Sequence, residues 1–176
     1  MVSRTLDLKR FVRDVPDFPK PGILFKDITP LLRDGAALHA SIDQLAARLG
    51  GRRVDAIAGI ESRGFLFAAT LALKLGVGLI PLRKPNKLPH SKVRESYALE
   101  YGTDALEMHE DAIRKGERIA LVDDLLATGG TMGAACRLVE RCGGTVDSCL
   151  FVIELAALKG RDRLRGRSVE SLLIYE

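Results

Sequence analysis

Tryptophan is missing from this chain, and aromatic residues of all kinds make up only 5% of it. That leaves few flat platforms on which single-stranded nucleic acid could stack. Cysteine is scarce as well. Cys136, Cys142 and Cys149 are odd in number and contain no C-x-x-C pair, which argues against a disulfide framework or a zinc site. They read as reduced packing residues of a cytoplasmic protein. No apolar run approaches the roughly 20 residues of a membrane span. The opening MVSRTLDLKRFVRDV puts charges into every turn and lacks the uninterrupted apolar core of a signal peptide. Neither G-x-x-x-x-G-K-[ST] nor G-x-G-x-x-G occurs, so a Walker-type phosphate loop and a dinucleotide fingerprint are both absent. His39, His90 and His109 have no metal-ligand spacing. Internal repeats and low-complexity segments are absent too.

What is present is an ordinary globular composition. Of 176 residues, 47% are hydrophobic and 28% charged, enough for one domain with its own core. The net charge of +4 is mild and its basic residues are spread along the chain. A small anionic substrate accounts for that bias as well as nucleic acid does.

Periodicity divides the chain into alternating elements. Leu6, Phe11, Val12 and Val15 suggest a short amphipathic helix over about 4–14, which PDFPKPG (16–22) breaks. Asp34 is placed to cap a helix carrying Ala37, Leu38, Ile42, Leu45, Ala46 and Leu49 inward, and Gly50-Gly51 ends it. VDAIAGI (54–60) reads as a buried strand, GFLFAATLALKLG (64–76) as a helix, and VGLIPLR (77–83) as a strand. Residues 84–104 are rich in Lys, Pro, His and Ser and form a long excursion, with a hairpin expected on SYALEY (96–101). Excursions of this length inside a domain usually serve function. A strand at 118–123, a helix at about 130–142, a strand at 145–155 and a last strand at 171–175 follow. The expected fold is therefore α/β, a central parallel sheet flanked by helices. Ligands of such sheets bind beyond the carboxyl ends of the strands.

The stretch IALVDDLLATGGT (119–131) lies at that edge. Its apolar run delivers Asp123 and Asp124 there. Ala127, Thr128, Gly129, Gly130 and Thr131 then form a small-residue loop ahead of a helix, where successive main-chain N–H groups can cradle an anion. A helix terminus favours anions by about 0.3–1 kcal/mol, rising to about 2 when partly buried. Carboxylates beside a phosphate pocket accept from sugar hydroxyls one ring away, so the ligand suggested is a ribose 5-phosphate unit. The plainer alternative makes the aspartates a turn and a helix cap.

VDDLLATGGT resembles the signature of the type I phosphoribosyltransferases, which bind phosphoribosyl pyrophosphate (PRPP). PDFPKPGILFKDITPLL (16–32), AGIESRGFLF (58–67), RKPNKLP (83–89), YALEYGTDALEMHEDAI (97–113) and ELAALKGRDRL (154–164) narrow the likeness to the adenine-specific branch of that family, nearly end to end. The resemblance implies a single phosphoribosyltransferase domain over 1–176, with an N-terminal hood at about 1–33 and a β-hairpin lid at about 84–104. It implies a reaction of adenine with PRPP giving AMP and pyrophosphate, Mg²⁺ arriving with PRPP, and a homodimer. Neither nucleic acid nor a membrane is an implied partner.

Residue roles follow from the same likeness. Asp123, Asp124 and the loop Ala127–Thr131 would hold the phosphoribosyl group. Glu61, Ser62 and Arg63 would form a pyrophosphate loop with a non-proline cis peptide, joined by Arg83, Lys84, Lys87 and Tyr101. Arg63 and Glu100 are the candidate catalytic residues, Glu100 as acid/base partner of the purine. Phe25 would stack on adenine, with main-chain groups at Leu24 reading its edge. No metal ligand set made of side chains alone is expected. A transferase for another base, and a PRPP-sensing regulator that binds DNA, remain alternatives.

Overall fold

The computed structural model describes residues 6–98 and 102–176. The chain forms two compact units, Met1–Gln44 and Leu45–Glu176.

In the first unit the expected helix at 4–14 is replaced by a single 3-10 turn, Leu8–Phe11, capped by the Asp7 side chain accepting from the Lys9 amide at 3.1 Å. The chain then extends into strand β1 (Arg13–Pro16), which pairs antiparallel with β2 (Leu24–Asp27). Cross-strand pairing satisfies both main chains, and this outweighs the weak helical spacing of the segment. The proline-rich connection carries a cis Phe18–Pro19 bond. A short helix α1 (Thr29–Arg33), with Pro30 in its first turn, follows. Helix α2 (Gly35–Arg48) begins after Asp34, whose carboxylate accepts from the Ala37 amide at 2.8 Å, the cap read from the sequence.

The second unit is built on a five-stranded, all-parallel sheet whose strands lie side by side in the order 78–82, 56–60, 118–126, 145–155 and 169–175. Its strands are β3 (Ala56–Ile60), β4 (Gly78–Leu82), β7 (Arg118–Leu126), β8 (Thr145–Leu155) and β9 (Val169–Tyr175), with helix α3 (Gly64–Leu75) after β3 and helix α4 (Gly130–Arg141) after β7. Every residue of β3 is buried, whereas β4, carrying Pro81, is half exposed at the sheet edge. Alternation along β3 separates the faces. Ala56, Ala58 and Ile60 share a core with Met132, Ala135 and Leu138 of α4. Gly59, on the other face, abuts Ala68 of α3. Helices thus cover both faces, as the alternating pattern predicted. Cys136 Sγ and Cys149 Sγ lie 3.7 Å apart in the core as free thiols.

The excursion is a hairpin of β5 (Lys92–Ala98) and β6 (Thr103–His109), paired from Lys92↔His109 to Ala98↔Thr103. It is longer than the hairpin expected on 96–101. Tyr97, Leu106 and Met108 enter the α4-side core, and that burial supports strands where composition alone suggested irregular chain. No helix among the described residues is long and apolar enough to cross a membrane.

Candidate active site

Strand β7 runs three residues beyond its expected end and carries Asp123 and Asp124 to the carboxyl edge of the sheet. The Asp124 amide donates to Asp123 Oδ1 at 2.9 Å. Arg63, just before α3, places its Nε 2.7 Å from Asp124 Oδ2, and Asp124 is 7% exposed. Asp123 has a different environment. Burial, together with the adjacent Asp124 carboxylate, pushes its carboxyl well above the usual range.

After β7 the loop Ala127–Thr131 bends into α4. Gly129 is the helix N-cap with φ +78°, a left-handed conformation open to glycine, and no side chain caps the helix. The amides of the first turn of α4 have no intrahelical acceptors by construction. Asp123, Ala127, Thr128, Gly129, Gly130 and Thr131 line a concavity of about 290 Å³ at that helix terminus. Its main-chain donors at a helix N-terminus suit a phosphate group.

A neighbouring cleft of about 830 Å³ connects this loop with sequence-distant segments. Glu61, Ser62, Arg63, Lys84, Asp123, Asp124, Ala127 and Thr131 are among its lining residues. Its second wall is the turn after β3, where the Glu61–Ser62 peptide is cis. The Glu61 amide donates to Leu82 O at 2.9 Å. Its carboxylate faces β4 and the chain that follows, accepting from Arg83 Nε and Nη2 at 3.2 Å each and from the Lys84 amide at 2.8 Å. Burial raises the Glu61 pKa, but Arg83 and the Lys84 amide outweigh it and hold the carboxyl below its ordinary value. Glu61 therefore ties the cis turn to the start of the excursion.

Lys84 reaches into the cleft with its ammonium bound to the Asp104 carboxylate and, at 2.9 Å, to Tyr97 Oη. The Tyr97 hydroxyl donates to Asp104 Oδ2 at 3.0 Å. Burial lowers the Lys84 pKa, but these two partners raise it further, so the group stays cationic. Lys87 is exposed, and its carbonyl accepts from Arg83 Nη1 at 3.3 Å. Leu24 and Phe25 lie on β2 in the first unit, where the Phe25 ring meets Phe18 edge-on at 5.2 Å. Glu100 and Tyr101 lie outside the described residues.

Two turns thus meet a pair of carboxylates in one cleft. The phosphoribosyl transferase domain family matches residues 25–171. Adenine phosphoribosyltransferase of Roseiflexus sp. is 56% identical over 171 residues, covering 97% of this chain and 99% of the relative. The chain belongs to the adenine phosphoribosyltransferase family. In structure, it superposes on the adenine phosphoribosyltransferase of Thermoanaerobacter pseudethanolicus with a TM-score of 0.93 at 54% identity, covering 96% of this chain and 98% of the other. The family enzyme of Saccharomyces cerevisiae, solved with adenine and an imino-altritol bisphosphate, matches with a TM-score of 0.89 at 42% identity over 94% and 96% of the two chains. The family fold, the type I phosphoribosyltransferase sheet, is the one seen here.

Sequence reasoning missed Asp104 and Tyr97 as partners of Lys84. It also missed Gly160, whose main chain lies directly against the loop Ala127–Thr131. ELAALKGRDRL marked the segment as family-like, but nothing in its pattern assigns that position.

Proposed function

We infer that this chain transfers the 5-phosphoribosyl group of PRPP to adenine, releasing AMP and pyrophosphate. One observation carries the reading. A single cleft is lined by Ala127 and Thr131 of the loop, by Asp123 and Asp124, and by Arg63 and Lys84. That donor set matches a 5-phosphate, two ribose hydroxyls and a pyrophosphate.

Main-chain amides and hydroxyls of Ala127–Thr131 bind the 5-phosphate, and Asp123 and Asp124 accept from the ribose hydroxyls. Adenine N9 forms a bond to C1 of the ribose while the C1–O bond to pyrophosphate breaks, the electron pair leaving with pyrophosphate. Glu100 takes the proton that N9 gives up. The Ser62 turn, Arg63, Lys84, Lys87 and Tyr101 receive the leaving group, and Arg83 supports them through Glu61. Cations fixed beside a developing anion, and reactants held in register, account for most of such an acceleration. Leu24 and Phe25 hold the base. The segment at about 1–33 serves as the hood and the segment at about 84–104 as the lid, which keeps water from the ribosyl centre.

The residues fit a Mg²⁺ ion shared with the substrate. The buried Asp123 carboxyl, pushed up by burial and by Asp124 beside it, gains from a nearby cation. Bound with PRPP, Mg²⁺ would neutralise pyrophosphate charge. A cytoplasmic homodimer completes the proposal. The free cysteines fit a reducing compartment.

Pyrophosphate release from PRPP, measured with adenine, hypoxanthine, guanine and orotate in parallel, tests the activity. Release with adenine alone supports it. Release with another base reassigns the specificity, and a salt-dependent shift of DNA without turnover with any base would replace the enzyme with a regulator.

A further inference from the structure

The phosphate loop does not hold its shape alone. A Cβ built on Gly129 would lie 2.3 Å from the Gly160 carbonyl oxygen, and one built on Gly160 would lie 2.3 Å from the Ala127 carbonyl oxygen and 2.7 Å from Leu126 Cδ1. The two glycines therefore let two main chains touch where no side chain fits. Gly160 opens a 3-10 turn, Gly160–Leu164, entered through Lys159 in a left-handed conformation.

That turn is anchored on three sides. Arg161 Nε and Nη2 donate to the two carboxylate oxygens of Glu154 at 2.7 Å each, and its Nη1 donates to Val169 O at 3.0 Å. The Ser171 hydroxyl donates to Glu154 Oε2 at 2.6 Å. Leu164, at the far end, is 1% exposed in the core that includes Met132 and Leu138 of α4. A bidentate guanidinium–carboxylate pair holds direction as well as distance. Strands β8 and β9 thus hold Gly160 against the main chain of the loop, and Gly160 is not among the residues that line the concavity.

We propose that Gly160 is a positioning residue for 5-phosphate binding, setting the curvature of Ala127–Gly129 by main-chain contact, and that the Glu154–Arg161–Ser171 clamp keeps it there. The proposal rests on the reading that this loop takes the 5-phosphate. Gly160 lines neither the loop concavity nor the neighbouring cleft. Its effect falls on ligands that carry the phosphate and spares the purine.

Two full-length variants test it, each checked for folding by thermal melt. Gly160→Ala forces the Ala127 carbonyl to move. It is expected to raise the Kd for AMP and the KM for PRPP by about tenfold or more, while kcat and the KM for adenine stay within about twofold. Arg161→Lys adds no atoms near the loop and keeps the charge but loses the fork, so it serves where Gly160→Ala does not fold. It is expected to raise the same two constants by about threefold, again with adenine unaffected. If the folded variants bind AMP as the parent does, or lose adenine equally, the proposal is overturned. A parent chain that binds neither AMP nor PRPP overturns the phosphate-loop reading itself, and this inference with it.

Discussion

Arg63 Nε stands 2.7 Å from Asp124 Oδ2, joining the turn after β3 to the end of β7 across the floor of the cleft. One residue comes from the proposed pyrophosphate side and the other from the proposed ribose side. A half-exposed guanidinium and a buried carboxylate in this arrangement are a local counter-charge pair that a polyanionic sugar can reorganise.

Replacing Asp124 with Asn keeps the volume and removes the charge. PRPP use should fall by about 10–100-fold, the scale of one hydrogen bond to a charged group. The melting temperature should move by only a few degrees, since Arg63 is about 38% exposed and can turn to solvent. Steady-state kinetics and calorimetry on the same samples check this. Comparable losses in both would reduce Asp124 to a structural role.

Asp123 should behave in the opposite sense. Its pKa is raised in the fold, so the stability cost is complete above the folded value, shrinks as pH falls below it, and is gone only below the ordinary carboxylate value of 3.8. Asp123→Asn should therefore raise the melting temperature at neutral pH by about 2–4 °C for each kcal/mol relieved, while weakening PRPP binding. The gain should shrink as pH is lowered. A variant less stable than the parent at neutral pH contradicts the assignment.

Lys84 and Asp104 should be energetically coupled. Lys84→Met should slow pyrophosphate release by about 10–100-fold if the ammonium steadies the leaving group. Asp104→Asn should cost less, because Tyr97 still holds the ammonium. A double-mutant cycle on kcat/KM should yield about 0.5–3 kcal/mol of coupling. Additive losses would mean the hairpin does not position this cation.

Acid stability should depend on Glu154. Its donors Arg161 and Ser171 depress the folded pKa below the ordinary carboxylate value of 4.5. The stabilisation is complete above that ordinary value and is lost as pH falls through the folded one. Glu154→Gln should thus be less stable than the parent at pH 7, and the gap should close on acidification below about pH 4. Denaturant melts across pH 3–7 measure it. A gap that is constant with pH would exclude the ionic contribution.

Local pattern was legible wherever one segment carries its own instruction. Asp34 capped α2 as its position suggested, and β8 spans Thr145–Leu155 as its apolar run predicted. Gly76 ends α3 in the left-handed conformation expected of a terminal glycine. The β1–β2 hairpin was misread because four-residue strands gain their stability from each other, and neither half shows a period strong enough to declare itself. The β5–β6 hairpin was placed too short for the same reason, since burial of Leu106 and Met108 against α4 sustains it.

By itself the sequence determined the parallel α/β order, the two aspartates at a strand end and the glycine loop that follows, because hydrophobic period, turn chemistry and helix termini act over a few residues. Only the tertiary structure decided that Glu61 grips Arg83 and Lys84, that Asp104 holds Lys84, and that Gly160 backs Gly129. Those contacts join strands and turns far apart along the chain. Their geometry is set by how the sheet packs, and no local spacing encodes it.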